Sequence, residues 1–267
     1  MINKVVVVRG AGDIATGIIQ KLFRAGFKVV AIETDRPSAI RRKVALCEAI
    51  YDGNIVVEDM EGILVRSKEE IFNTLEALKI PVIIDAEGEL ISSLKPIAVV
   101  DAIIAKYNIG TNRSMAPVTV GVGPGFNAGV DVDIVVETMR GHNLGRLIFE
   151  GEAMANTGVP GKINGFDRER VIHSPASGKI VNKIEIGAIV KAMDVLAVVD
   201  NKEVISSISG VLRGIIRDGY EVKKGMKIAD IDPRIEEVKN CYTISDKART
   251  IGGAVLEAVL YSINKMR

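Results

Sequence analysis

The stretch KVVVVRGAGDIATG, residues 4–17, constrains the fold of this chain more than any other. Val5 to Val8 form the continuous apolar run that a strand covered on both faces requires, and they lead into Arg9-Gly10-Ala11-Gly12-Asp13-Ile14-Ala15, a G-x-G-x-x-A turn. A helix follows at once, with Ile14, Ile18, Ile19, Leu22 and Phe23 recurring on one face and Gly26 placed as its C-terminal cap. Lys28 to Ile32 make a second apolar strand that ends in Glu33-Thr34-Asp35. The order is strand, glycine-rich turn, helix, strand.

In a unit of this kind Gly10 permits the tight turn and Gly12 lets the backbone approach a phosphate. The helix start supplies free N–H groups and a partial positive charge. Gly10, Ala11, Gly12 and Asp13 are therefore candidate cofactor-binding residues. Glu33 stands where an acid would bond a ribose hydroxyl, while Arg36, Arg41 and Arg42 nearby suit an extra phosphate. Asp13 weighs on the other side, because an acid in the first helical turn can take the place of a bound anion. The pattern admits a Rossmann-like domain that binds a dinucleotide and one that binds none.

The alternation continues. Ser67-Lys68-Glu69-Glu70 is a capping box that opens a helix with Ile71, Leu75 and Leu78 on one face; Ile80 to Ile84 is the next strand, and Asp85 ends it. Ile97 to Lys106 is too short and too apolar to divide between strand and helix. The carboxyl ends of parallel strands line the ligand crevice of open α/β sheets, so Arg9, Glu33 and Asp85 are expected to face one cleft.

From Pro117 to Gly161 the chain holds nine of its 26 glycines (121, 123, 125, 129, 141, 145, 151, 158 and 161) among many polar residues. Gly123, Gly125, Asn127, Arg140 and Arg146 are candidate cofactor contacts, the guanidinium fork being suited to phosphate or ring oxygens. Gly121 to Gly129 is expected to form a second wall of the cleft opened by Gly10 to Asp13, with Arg140 and His142 facing in. Arg140-Gly141-His142-Asn143 also reads as a solvated turn between strands. Asp131 and Asp133 alternate with apolar residues and share a strand face, where they either hold a divalent cation or are its solvated side. No metal site is assigned on spacing. His142, Arg140 and Cys47 are the catalytic candidates, although Val44, Ala45, Leu46, Ala49 and Ile50 around Cys47 favour a buried, inert thiol. His173, beside Ser174-Pro175, and Cys241 have still less around them.

Beyond Ser174 the sequence repeats itself. The spacing from Gly178 to Asp200 equals that from Gly210 to Asp232, with turn residues at Gly187 and Gly219. Two β-rich halves of equal length are similar to the barrel-sandwich hybrid, or lipoyl/biotinyl-like, fold. Lys202 occupies roughly the place of the modified lysine of such carriers but lacks their flanking residues, so lipoyl or biotin attachment is not expected. A final helix begins at Ser245, with Ala248, Ile251, Val255, Val259 and Ile263 on one face. Gly252-Gly253 in its middle costs about 1 kcal/mol each relative to alanine, which points to close packing on another element.

The fold class expected is thus α/β, with four parts. Residues 1–115 form a Rossmann-like domain, 116–170 a Gly-rich β region packed on it, 171–235 a barrel-sandwich hybrid module, and 236–267 a helix returning to the N-terminal domain. Lys plus Arg, 35, nearly cancels Asp plus Glu, 34, so no overall field draws nucleic acid or an anionic membrane. Two distant cysteines, no cleavable leader pattern and no uncharged apolar run of about 18 residues read as a soluble cytoplasmic protein, with a homo-oligomer left open.

Taken together, GAGDIATG, RRKVALCEAIYDG, VGVGPGFNAGVDVDIVVETMRGHNLGR, FEGEAMANTGVPG and the Ser-Gly repeat resemble the YqeB family of selenium-dependent molybdenum hydroxylase system proteins over nearly the whole chain. The resemblance implies an accessory protein for molybdenum hydroxylases of the xanthine or purine dehydrogenase kind. Its work would be cofactor maturation or selenium insertion, with the hydroxylase or its maturation machinery as partner. It carries over no catalytic residue and leaves catalysis open. A molybdopterin-type nucleotide is the ligand expected on this reading, its pyrophosphate suiting the Gly10–Gly12 turn. Two alternatives stand beside it: an NAD(P)-dependent oxidoreductase with His142 as proton donor, and a non-enzymatic scaffold that docks a partner through its C-terminal module.

Overall fold

The computed structural model describes residues 4–158 and 161–266; Val159 and Pro160 of the Gly-rich stretch lie outside the described residues. The chain divides into two compact units. The first comprises Met1–Pro37, Ala45–Asn156 and Ile244–Arg267, and the second Ser38–Val44 and Thr157–Thr243.

The first unit is built on β1 (Val5–Arg9), α1 (Asp13–Arg24) and β2 (Lys28–Glu33), as the opening motif dictates. It continues with α2 (Ala49–Asp52), β3 (Asn54–Val57), β4 (Met60–Val65), α3 (Lys68–Glu76), β5 (Ile80–Ile84), α4 (Ile91–Leu94) and β6 (Ala98–Asp101). The Gly-rich stretch supplies β7 (Val118–Val122), β8 (Asn127–Ala128), β9 (Ile134–Val136), β10 (Leu147–Ile148) and β11 (Gly151–Glu152). Nine of these strands form one sheet of order β10-β9-β7-β6-β1-β2-β5-β4-β3. Val6, Val7 and Val8 at its centre are fully buried, which explains their uninterrupted apolar run.

Local signals set the helix ends. Gly26 takes φ +89°, and the Gly26 and Phe27 amides donate to the Phe23 and Leu22 carbonyls, a Schellman closure of α1. At α3 the Glu70 amide donates to Ser67 Oγ, and the Arg66 amide donates to the Glu70 carboxylate. The chain after residue 243 gives α5 (Asp246–Lys265), capped by Ser245, whose Oγ accepts from the Ala248 amide. Helices α1 and α5 cross where Gly17 meets Gly252: a Cβ at Gly252 would lie 2.4 Å from the Gly17 carbonyl oxygen. Helix α1 is covered on more than its apolar face. Thr16 and Gln20 are fully buried, with the Leu46 amide donating to Thr16 Oγ1 and Gln20 Nε2 donating to Glu58 and Asp59.

The second unit contains β12 (Val171–His173), β13 (Gly178–Asn182), β14 (Ile189–Val190), β15 (Val195–Val199), β16 (Lys202–Ile205), β17 (Gly210–Ile215), β18 (Glu221–Val222) and β19 (Lys227–Asp232). They make two four-stranded sheets, β12-β19-β17-β14 and β16-β15-β13-β18. Asp200 and Asn201 both take positive φ in the two-residue turn between β15 and β16, leaving Lys202 exposed at its edge.

The expected fold class is corrected on both counts. The large sheet is mixed: β3 pairs antiparallel with β4 and β10 antiparallel with β9, at its two ends. No α-helix occurs between β6 and β7 or between β7 and β9, so the alternation of a Rossmann-like domain stops at β6. Part of the Gly-rich region extends the sheet, β7 pairing in parallel with both β6 and β9, while β8 and β11 pair as a separate two-stranded sheet. Nor is the repeat a self-contained barrel-sandwich module. Strands of the two halves pair with each other, β13 with β18 and β14 with β17, and β12 joins from outside the repeat. Residues 38–44 also belong to this unit: the Ile40 carbonyl approaches within 2.7 Å of where a Gly214 Cβ would sit, and Arg42 Nε donates to the Ile215 carbonyl. Among the described residues no helix is long and apolar enough to cross a membrane.

Candidate functional site at the carboxyl edge of the large sheet

Three parallel strands of the first unit, β1, β2 and β6, end in charged residues. Arg9 closes β1 and lies in register with Ile32 on one side and Asp101, the last residue of β6, on the other. Both Arg9 and Asp101 are 1% exposed. Thr111 joins them: Arg9 Nη1 donates to its Oγ1, which in turn donates to Asp101 Oδ2 at 2.6 Å. Arg9 Nη2 donates to the Ala86 carbonyl, and the guanidinium stands 3.7 Å from Asp101 Oδ2. Arg9 Nε is buried and has no hydrogen-bond partner among the described residues. Burial holds the Asp101 carboxyl above its ordinary range, against the pull of Thr111, the Ile103 amide and Arg9.

The turn after β1 is occupied by the protein itself. Gly10 takes φ +95°, and a Cβ there would meet the Ala102 carbonyl oxygen at 2.9 Å. The Ala11 amide donates to Glu33 Oε2 at 2.8 Å and the Thr34 amide to Glu33 Oε1 at 2.9 Å. Glu33 thus bonds the turn itself, where the sequence suggested a ribose. Gly12 is different: nothing lies within 4 Å of a Cβ built on it, and it begins α1 without a side-chain cap. Burial raises the Glu33 carboxyl above its ordinary value of 4.5, opposed by the Thr34 and Ala11 amides. For an acid raised in this way, the contribution to stability is fully present below the unfolded value and is lost as pH rises through the folded one. Glu33→Gln lacks that loss, so the stability of the native protein relative to this variant should fall as pH rises above the ordinary carboxyl range. Urea midpoints at a series of pH values check this, and a difference that stays flat refutes it.

Cys47 sits directly behind the turn, its amide donating to the Ala11 carbonyl at 2.8 Å. It is 1% exposed, and burial, followed by the negative charges of Glu33, Glu48 and Asp13, holds its thiol well above its ordinary range. Such a thiol is protonated and inert. Asp85 is spent on its own loop, accepting from the Gly88, Glu89 and Leu90 amides.

Three glycines of the central loop are required by packing. A Cβ at Gly121 would strike the Phe126 ring at 2.6 Å, one at Gly123 the Thr138 hydroxyl at 2.8 Å, and one at Gly125 the Tyr107 backbone at 2.5 Å. Asp131 Oδ2 accepts from the Asn127 amide; Asp133 accepts from Arg113 Nε and from both the amide and hydroxyl of Thr119. Both carboxylates close loops, and no group of three potential metal ligands occurs among the described residues. Buried Glu137 accepts from the Met139 and Met154 amides, tying the end of β9 to the loop beyond β11.

Arg140 makes a bidentate pair with Asp246 in the first turn of α5 and so braces that helix. His142 and Arg146 are exposed and line a separate open depression of about 510 Å³ with Phe149, Glu257 and Tyr261. Lys247, which the sequence reading passed over, is half-buried at the start of α5. Its ammonium is lowered from its ordinary range by burial and by Arg140, while Asp13, Glu137 and Asp246 oppose this. Those partners place Lys247 in the electrostatic neighbourhood of the α1 N-terminus. Asp101 and Thr111 were also passed over: neither lies in a motif, and only the parallel register of β1 with β6 brings Asp101 to Arg9. His173 and Cys241 lie in the second unit, His173 exposed at the end of β12 and Cys241 buried.

No family model matches the chain. Among solved structures, the product-bound ectoine utilization protein EutE (DoeB) from Ruegeria pomeroyi is similar at 11% identity, with 86% of this chain and 85% of that chain covered and a TM-score of 0.27. An aspartoacylase family protein from Mesorhizobium loti is similar at 12% identity, with 87% and 85% covered and a TM-score of 0.27. These likenesses are too distant to inform the chemistry of the site. Along the sequence the chain is 46% identical over 258 residues, 97% of its length, to the uncharacterized protein YqeB of Escherichia coli (strain K12), and it spans 48% of that relative. Identity at this level along nearly the whole chain supports the YqeB family name to which the glycine-rich motifs pointed, for a chain about half the length of the curated relative it matches.

Proposed function

We propose that this chain is an accessory protein for the maturation of selenium-dependent molybdenum hydroxylases, and that its first unit binds a molybdopterin-type or related nucleotide at the carboxyl edge of the large sheet. The role is what the resemblance of the sequence motifs implies. The binding site rests on one observation: α1 begins at Gly12 with no side-chain cap and with open space over its Cα. A helix start of this kind offers unsatisfied N–H groups and a partial positive charge, which suit a phosphate. Lys247 adds a half-buried positive charge within electrostatic reach of Asp13. The partners in this reading are the hydroxylase or its maturation machinery. No residue is assigned to catalysis, since Cys47 is inert and His142 faces another surface.

Titration calorimetry with ADP, NADPH and a molybdopterin dinucleotide tests the reading. Binding of at least one is expected, and Gly12→Asp should weaken it by about tenfold or more, because an acid fits the open space and repels the phosphate at the helix start. The backbone of Gly12, at φ −67°, accepts an aspartate without strain, so this variant should fold. A folded native protein that binds none of the three overturns the proposal.

A further inference from the structure

We infer that residues 102–111 form a displaceable strap over the Gly10 turn, and that a phosphate or carboxylate ligand reaches the Arg9 guanidinium only when this strap lifts. The inference deepens the reading of the carboxyl edge as a ligand site and rests on it for the ligand. The strap itself stands on backbone geometry.

Two glycines from different loops make room for this one segment. Gly10, after β1, lies against Ala102 and Ile103, where a Cβ would come within 3.1 Å of the Ile103 Cα. Gly125, after β7, has φ +107° and lies against Lys106 and Tyr107, where a Cβ would come within 2.6 Å of the Tyr107 amide nitrogen. A glycine that lets backbone approach so closely is the device expected for a ligand at such a turn. Here the approaching group is the chain's own main chain.

The segment is held under strain and with few bonds. Ile104 and Lys106 take φ +62° and +70°, a left-handed conformation disfavoured for any side chain and most of all for a β-branched one. Ala102 and Ile103 are tied back through their amides, to the Arg9 carbonyl and Asp101 Oδ1. At the far end Asn108 and Thr111 bond each other in a local turn. Between these anchors Ile104 and Tyr107 are 36% and 66% exposed, so lifting the strap uncovers little apolar surface.

Thr111 is the latch. Its hydroxyl is the strap's side-chain bond to Arg9 and, through the same oxygen, to Asp101. Beneath it the Arg9 side chain is almost completely enclosed and keeps one N–H group, at Nε, without a partner among the described residues. Release of Thr111 frees the Arg9 Nη1 donor, for which an oxyanion is a natural partner.

The test is tryptic cleavage after Lys106, an exposed residue, followed by mass spectrometry as a function of urea in the native protein and in Thr111→Val and Gly125→Ala. In the native protein, cleavage should proceed through a local opening whose urea dependence is much weaker than that of global unfolding. Thr111→Val, which unlatches the strap, and Gly125→Ala, which pushes a methyl into the Tyr107 backbone, should each raise its rate by about tenfold or more. Cleavage that follows global unfolding in all three proteins overturns the strap. Addition of ADP separates the two readings. If ADP binds none of the proteins while cleavage after Lys106 shows local opening, the nucleotide assignment falls and the strap stands; ADP that binds the native protein no more weakly than Thr111→Val overturns the strap as a barrier.

Discussion

Alanine at Gly252 is expected to destabilise the first unit by about 2 kcal/mol, whereas alanine at the next residue is expected to stabilise it by about 1 kcal/mol. Both are helix-interior positions, and by propensity alone each substitution gains about 1 kcal/mol. The difference lies in what a methyl group meets. At Gly252 it would stand 2.4 Å from the Gly17 carbonyl oxygen and 2.9 Å from the Lys21 side chain, so α1 and α5 must separate. Overpacking of this kind costs about 3 kcal/mol, which outweighs the propensity gain. At Gly253 nothing lies within 4 Å, and only the propensity term remains. Urea midpoints of the two variants, moving in opposite directions, are the check; two shifts of the same sign would show that the helices do not cross at Gly17.

The second large effect concerns Arg9. Arg9→Met removes the positive partner of a carboxylate that is 1% exposed, and breaking a buried pair from one side costs about 3 to 5 kcal/mol near neutral pH. Asp101 already has its carboxyl raised by burial, with Arg9 among the groups that oppose the rise. Without Arg9 the folded value climbs further. Stability tied to an acid raised in this way is present at low pH and lost as pH rises through the folded value, so the deficit of Arg9→Met should shrink on acidification. The double variant Arg9→Met with Asp101→Leu should recover most of the loss, because no charge is then left buried. Denaturant unfolding of the three variants across pH measures both effects. A double variant no better than Arg9→Met would mean that the arginine is held by packing alone.

What the sequence made legible is local. The opening strand, turn, helix and strand form because each signal acts within a few residues, from Gly26 at φ +89° to the Ser67–Glu70 cap. Gly252 and Gly253 announced close packing, but only the crossing with Gly17 separates the tight position from the open one. The strands on either side of Arg140–Asn143 were legible as strands, but their place in the large sheet was not: segments of two to five residues show too little pattern to say which neighbour they pair with. Distance along the chain hid the Arg9–Thr111–Asp101 cluster, whose members are joined by strand register and by a loop return. Arg140 illustrates the limit from the other side: its guanidinium fork was read as a cofactor contact, and the carboxylate it pairs with is Asp246, more than a hundred residues away.

The order in which the first unit is assembled has a consequence during synthesis on the ribosome. Its sheet and α1 are encoded before residue 157, yet the helix that covers Gly17 is encoded after residue 243, beyond the long segment Thr157–Thr243 of the second unit. A nascent chain therefore carries the α1 groove uncovered while residues 157–243 are made. At about 5 to 20 residues per second this is a wait of several seconds, long compared with helix formation. During that interval the face of α1 around Gly17 is an unpaired apolar surface, and this protein should depend on chaperone shielding more while being made than when refolding from the full-length chain.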